Sequence, residues 1–103
     1  MTVVLSLWRG PVEVQTPKAR EIIAEVAERY GLTFEDMIGP RRIKEISLAR
    51  QEAIWTCRQV RRADGSHRFT LPFLGHLLNR DHTTVLWGER QHAARLEAEK
   101  VAA

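Results

Sequence analysis

Apolar positions along the chain come in short periodic groups separated by turn residues. Ile22, Ile23, Val26, Ala27 and Tyr30 recur at three- and four-residue spacing, the stripe of an amphipathic helix, with Glu21, Glu25 and Glu28 turned outward. Thr16 is placed to cap that helix, Pro17 to occupy its first position and Gly31 to end it in the left-handed conformation. Thr33-Phe34-Glu35-Asp36 reads as a capping box opening a short helix, with Phe34, Met37 and Ile38 on its core side and Gly39-Pro40 as its stop.

The segment PRRIKEIS then reads as a basic loop, and Ser47 as the cap of a third helix over about 48–63. Its small-residue stripe, Ala49, Ala53, Thr56, Cys57 and Val60, would let another helix approach closely, whereas Trp55 has no evident place. At about 100° per residue, Arg50, Arg58 and Arg61 gather within about 80° of arc beside that stripe. RADGSHRF is a polar loop with an Asp-Gly turn signal. Thr70 caps a short helix carrying Pro72 in its first turn and Leu71, Leu74, Leu77 and Leu78 on its buried side. Asn79 can take the left-handed conformation that turns the chain into a last helix from about residue 82, with Val85, Leu86, Ala93 and Leu96 on its apolar side. The pattern predicts one all-α domain of five helices over residues 16–103. Before it, residues 1–15 are apolar without helical period and read as an extended arm.

The last two helices raise a chemical question. Residues 80–89 are RDHTTVLWGE, so the first turn of the last helix carries His82 and two β-branched threonines, which are poor helix formers. Short helix, tight turn and longer helix is the layout of a helix-turn-helix, in which the N-terminal residues of the second helix touch base edges in the major groove. His82, Thr83 and Thr84 would face DNA there. A threonine offers a hydroxyl and a methyl for thymine, and a histidine donates to or accepts from a base edge. Asp81 either accepts from cytosine N4 or caps the helix. The same pattern also fits a helix pair in a bundle, with these residues facing solvent.

Charge narrows the choice of partner. The 103-residue chain has a formal net charge of +3, but the charge is not evenly spread. Residues 1–40 hold four Lys/Arg against six Asp/Glu, residues 41–68 hold eight against three, and residues 69–103 balance at four each. A basic middle third points to a polyanion, or to a solvated arginine-rich face. Cys57 is the only cysteine, so no internal disulfide or cysteine-based zinc site is available, and a buried thiol in a cytosolic protein is expected. No stretch approaches the roughly 20 apolar residues of a membrane span, and VVLSLW is too short and lacks the basic leader of a signal peptide. His76 and His82 lie on different elements without ligand-spaced partners, and no nucleophile–base set is present, so neither an enzyme nor a cofactor is expected.

RDHTTVL resembles the signature of the C-terminal DNA-binding domain, domain IV, of the bacterial replication initiator DnaA. AERYGLTFEDMIGPRR resembles the opening helix, short second helix and basic loop of that family. ARQEA resembles the start of its third helix, and TLPFLGHLL the first helix of its helix-turn-helix. The resemblance covers about residues 20–97 and implies a five-helix, Trp-repressor-like fold that binds double-stranded DNA. It implies base reading by Asp81, His82, Thr83 and Thr84 in the major groove and by Arg42 in the minor groove. It also implies backbone phosphate contacts from Arg50, Gln51, Arg58 and Arg80.

Four departures stand out. The turn before RDHTT is one residue shorter than the family's Gly-Gly, with Asn79 in its place. The loop RRADGSHRF is several residues longer and adds Arg62, His67 and Arg68. Leu48-Ala49 replaces a proline next to ARQ. Trp87 and Gly88 stand where small residues and a histidine are common. No G-x-x-x-x-G-K-[ST] phosphate loop is present, so no nucleotide binding is expected. The expectation is a DNA-binding module used alone in the cytoplasm and associated with the nucleoid. It would regulate transcription or replication, with a phage or prophage origin. The alternative is a protein-interaction module that dimerises, or docks on a replication or transcription protein, through residues 3–8 of the arm.

Overall fold

The structure, a computed structural model, describes residues 18–41 and 43–102. The arm, Thr16, Pro17 and Arg42 lie outside the described residues. Among the described residues the elements are five helices: α1 (Ala19–Arg29), α2 (Phe34–Ile38), α3 (Lys44–Gln59), α4 (Leu71–Leu78) and α5 (His82–Ala102).

The first two helices are bounded by local hydrogen bonds. α1 begins later than its proline suggests, with extended Lys18 as the flanking residue rather than Thr16. The Glu21 carboxylate, at the third helical position, reaches back to accept from the Lys18 N–H at 3.1 Å and satisfies a donor that the helix cannot. At the other end Gly31 has φ of 73°, and the Gly31 and Leu32 N–H groups donate to the Glu28 and Ala27 carbonyls at 3.0 and 2.8 Å. That pair of bonds forms a Schellman stop. α2 carries the expected capping box, with the Asp36 N–H donating to Thr33 Oγ1 and the Thr33 N–H to Asp36 Oδ2.

The bounds of α3 differ from the expectation at both ends. It starts at Lys44, not after Ser47, because fully buried Ile46 draws the end of the basic segment into the helix, where the Ser47 N–H donates to the Ile43 carbonyl. It stops at Gln59, so Arg61 leaves the helix and does not share the arc of Arg50 and Arg58. The reason lies in the following loop. Val60 is extended and its carbonyl accepts from the Arg68 N–H at 3.0 Å, while the Arg62 N–H donates to the Ser66 carbonyl at 2.8 Å. Asp64 accepts from both the N–H and the hydroxyl of Ser66, and Gly65 takes φ of 90°. The longer loop is thus a small antiparallel turn.

α3 is the central element, packed against α1 on one side and α5 on the other. Ala49, Ala53 and Cys57 are fully buried, as the small-residue stripe predicts. The Cys57 thiol is pushed up to about 12 by burial, so it is inert as a nucleophile at neutral pH. Ile23, Val26, Met37, Leu74, Leu78 and Val85 complete one core drawn from α1, α2, α4 and α5. Removal of a side chain such as Leu74 or Leu78 would cost roughly 2–5 kcal/mol. Trp55 stands half-buried beside the ring of His92, 5.3 Å between centroids. His92, not Ala93, takes a buried position on α5.

Candidate nucleic-acid interface

The turn between α4 and α5 is tightly specified. The Thr70 hydroxyl accepts from the Phe73 N–H at 3.2 Å to open α4. Asn79 closes it at φ 58°, ψ 46°, the left-handed conformation expected of it. The Arg80 N–H then donates back to the Gly75 carbonyl at 2.8 Å. A Cβ on Gly75 would stand 2.6 Å from the Arg80 carbonyl oxygen, so only glycine lets the chain return this closely. Asp81 caps α5, accepting the Thr83 N–H at 3.1 Å and the Thr83 hydroxyl on the same oxygen. Those bonds hold the Asp81 carboxyl below its ordinary value. Of the two roles open to Asp81, the cap is therefore filled within the chain, while its other oxygen lies 3.8 Å from His82 Nδ1. His82, Thr83 and Thr84 are all exposed, and Val85 directly after them is fully buried. The first turn of α5 is anchored by one residue and presents the other three outward.

Two arginines stand beside that turn. Arg50, on α3, is nearly buried and donates from Nε to the Met37 carbonyl at 2.8 Å and from a terminal nitrogen to the Gly39 carbonyl at 3.5 Å. Arg80 donates to the same Gly39 carbonyl at 2.5 Å, and to the Leu78 and Asn79 carbonyls. Both guanidiniums are thus held by main-chain oxygens at the C-terminal end of α2. Burial, and then the neighbouring charge of Arg80, bring Arg50 down to about 10, which leaves it charged at neutral pH. Among the described residues neither arginine has a carboxylate within ion-pair distance. Two fixed cations without a counter-ion make a strong site for an anion.

Gln51 is oriented by Arg95, which donates to its Oε1 at 2.5 Å and lies 3.0 Å from His92 Nδ1 through its other terminal nitrogen. With its oxygen so engaged, the Gln51 amide has its N–H donors to offer. Arg50, Gln51, Arg80 and Thr84 line one cleft of about 400 Å³ between α3 and α5, together with Trp87 and Gly88.

The remaining candidates are not in this group. Arg58 lies two turns further along α3, where Nε donates to Glu89 Oε1 at 3.1 Å and a terminal nitrogen to the Phe69 carbonyl at 3.0 Å. Arg61 bonds the Gly65 carbonyl within its own turn, and Arg62 and Arg68 flank a separate depression beside Phe73. Sequence reasoning assigned no role to Gly75, Arg95 or His92. A glycine inside an otherwise apolar helix was the available signal for the first. The other two act through contacts between α3 and α5, which spacing along one helix does not reveal.

A short helix, a turn closed by a left-handed Asn79 and a longer helix whose first turn is offered to the outside define the helix-turn-helix class. Within that class, the family described as the bacterial dnaA protein helix-turn-helix matches residues 19–91, and the chain belongs to it. The chain is 39% identical over 71 residues to the chromosomal replication initiator protein DnaA of Tropheryma whipplei, and 44% identical over 68 residues to that of Thermus thermophilus. These matches cover 69% and 65% of this chain but 14% of each initiator. Among the described residues no helix is long and apolar enough to cross a membrane, and no group of three or more His, Cys, Asp or Glu is placed to hold a metal ion.

Proposed function

We propose that this protein binds double-stranded DNA sequence-specifically, reads a site like the DnaA box with the first turn of α5, and so regulates transcription or replication on the nucleoid. The observation that carries this reading is the exposed His82-Thr83-Thr84 turn beside two arginines that have no carboxylate partner among the described residues. His82, Thr83 and Thr84 read base edges in the major groove, and Asp81 both caps the helix and meets the base next to it. Arg42 reaches the adjacent minor groove. Arg50, Gln51 and Arg80 hold backbone phosphates, which fixes the pitch of α5 without carrying sequence information. Arg58 joins them as the weakest of the four, because its guanidinium is already shared between Glu89 and the Phe69 carbonyl.

The test is a titration of the full chain against a labelled duplex carrying a DnaA box and against a scrambled duplex, at two salt concentrations. A preference of tenfold or more for the box is expected, together with its loss in His82→Ala or Thr84→Ala variants that keep their helical circular dichroism. Each base contact is worth about 1–3 kcal/mol. Equal, salt-sensitive binding to both duplexes would show that the box is not what the turn reads. Absence of binding to either at low salt would sink the assignment.

A further inference from the structure

Trp87 is the most exposed aromatic side chain among the described residues. It is 56% exposed, although it follows the buried Val85 and precedes the buried Gly88 on the same helix. Its position is informative. At about 100° per residue, Trp87 falls about 40° from Thr83 and about 60° from Thr84, one turn further along. It therefore continues the presented side of α5 and does not belong to the core stripe. It cannot be drawn inward by a local shift of the helix, because a Cβ on Gly88 would already stand 3.2 Å from Ile54 Cδ1, so α5 is pressed against α3 there. The indole consequently stands at the lip of the cleft that also holds Arg50, Gln51, Arg80 and Thr84.

That cleft combines two unlike surfaces. One side offers the guanidiniums of Arg50 and Arg80, anchored on main-chain oxygens and, among the described residues, lacking a carboxylate. The other offers the face of Trp87 with Ile54 and the backbone of Gly88. The unit of DNA with the same two faces is a backbone nucleotide. Its phosphate is an anion, and the deoxyribose joined to it presents an apolar C–H surface along the wall of the groove. Resting on the DNA-binding reading above, we infer that the cleft is a nucleotide subsite in which Trp87 packs on the deoxyribose next to the phosphate held by Arg50 and Arg80. An aromatic ring buries a large area at little cost in side-chain freedom, so this contact adds affinity that salt does not screen.

The salt dependence separates this role from that of the cations. Each phosphate neutralised contributes about 0.9 to the slope of log affinity against log salt, whereas an apolar contact contributes nothing to it. Trp87→Ala is expected to weaken binding of the box duplex about tenfold at every salt concentration with the slope unchanged, and Trp87→Phe to recover part of the loss. Arg80→Ala, measured beside it, should lower the slope by about 0.9. Replacing thymines by uracil, one at a time, should leave the Trp87→Ala penalty as it was. Unfolding of the free variants, followed by circular dichroism, should show that Trp87→Ala melts near the parent protein, as an exposed side chain allows. The inference is overturned if Trp87→Ala binds as well as the parent or better, if it lowers the slope, or if its penalty vanishes at one uracil, which would make Trp87 a base reader. Loss in Arg80→Ala without loss in Trp87→Ala would overturn the subsite and leave DNA binding standing. Failure of the parent protein to bind either duplex would overturn both.

Discussion

Two regions along α3 carry the same kinds of residue and treat them in opposite ways. In one, Arg50 and Gln51 look into the cleft shared with α5, where, among the described residues, Arg50 and Arg80 are bonded to carbonyl oxygens and to no carboxylate. In the other, away from the cleft, Glu52 and Arg58 each have a charged partner within the fold. Glu52 accepts from the Tyr30 hydroxyl at 2.7 Å and pairs with Arg29 at 2.8 Å, and Arg58 pairs with Glu89. Arg50 and Arg58 are both arginines on one helix, and both are well shielded from solvent. What separates them is the counter-charge. A paired guanidinium ties elements together, whereas an anchored but unpaired one is left with a field that reaches beyond the protein surface. Arg50 and Arg80, uncompensated among the described residues, thus stand beside the turn His82-Thr83-Thr84.

The largest effect comes from dismantling the unpaired region as a whole. Gly75→Ala forces a Cβ against the Arg80 carbonyl oxygen, so the turn must open and Arg80 must leave the Gly39 carbonyl. A loss of about 1–3 kcal/mol in stability is expected from the overpacking, read by urea unfolding. DNA affinity should fall by more than the stability loss explains under conditions where the variant is still folded. Retention of full affinity would mean that the position of Arg80 is not needed.

Next comes the single pair. Arg50→Ala leaves the buried Met37 carbonyl without its donor, at about 1–3 kcal/mol, and removes a cation from the cleft. Affinity for all duplexes should drop together, with the salt slope reduced by about 0.9. Arg58→Ala should cost comparable stability, since Glu89 and the Phe69 carbonyl both lose a partner, yet change DNA affinity much less. If Arg58→Ala instead reproduced the binding defect of Arg50→Ala, the contrast between the two regions would fail. Glu89→Gln sharpens it further. Releasing Arg58 from its carboxylate should raise affinity modestly for specific and scrambled duplexes alike.

The contrast also explains what could be read from residues alone. Helix existence and order were legible, because caps such as Thr33, Thr70 and Asn79 and the apolar spacing are local signals. The ends of α3 were not. Ile46 is helical because the core needs it, and Val60 is extended because Arg68 pairs with it across the loop, and both causes are tertiary. Among the described residues Arg50 is the one cation of the basic block that lines the cleft, where it meets Arg80 and Thr84 of the RDHTT segment. Counting arginines did not show which were already occupied, since Glu89 lies 31 positions from Arg58.

The smallest expected effect lies in the paired region and is set by pH. Burial raises the Glu52 carboxyl, but the Tyr30 hydroxyl and Arg29 outweigh it, and the net shift is downward. His92 is also lowered, by burial first and then by Arg95, against weaker opposing pulls from Glu52 and Glu99. For both groups the folded value is below the unfolded one. Their contribution is therefore complete above the ordinary values, 6.5 for the imidazole and 4.5 for the carboxyl, and is lost as pH falls through the depressed ones. The melting temperature should decline first below about pH 6.5, as His92 gains a proton opposite Arg95, and again as Glu52 is neutralised in stronger acid. His92→Gln, which keeps an acceptor for Arg95, should flatten the first decline and leave the second. Arg50, at about 10, keeps its charge throughout this range, so the cleft retains that cation while the paired region loosens. A His92→Gln protein with an unaltered acid profile would show that the first step belongs to another group.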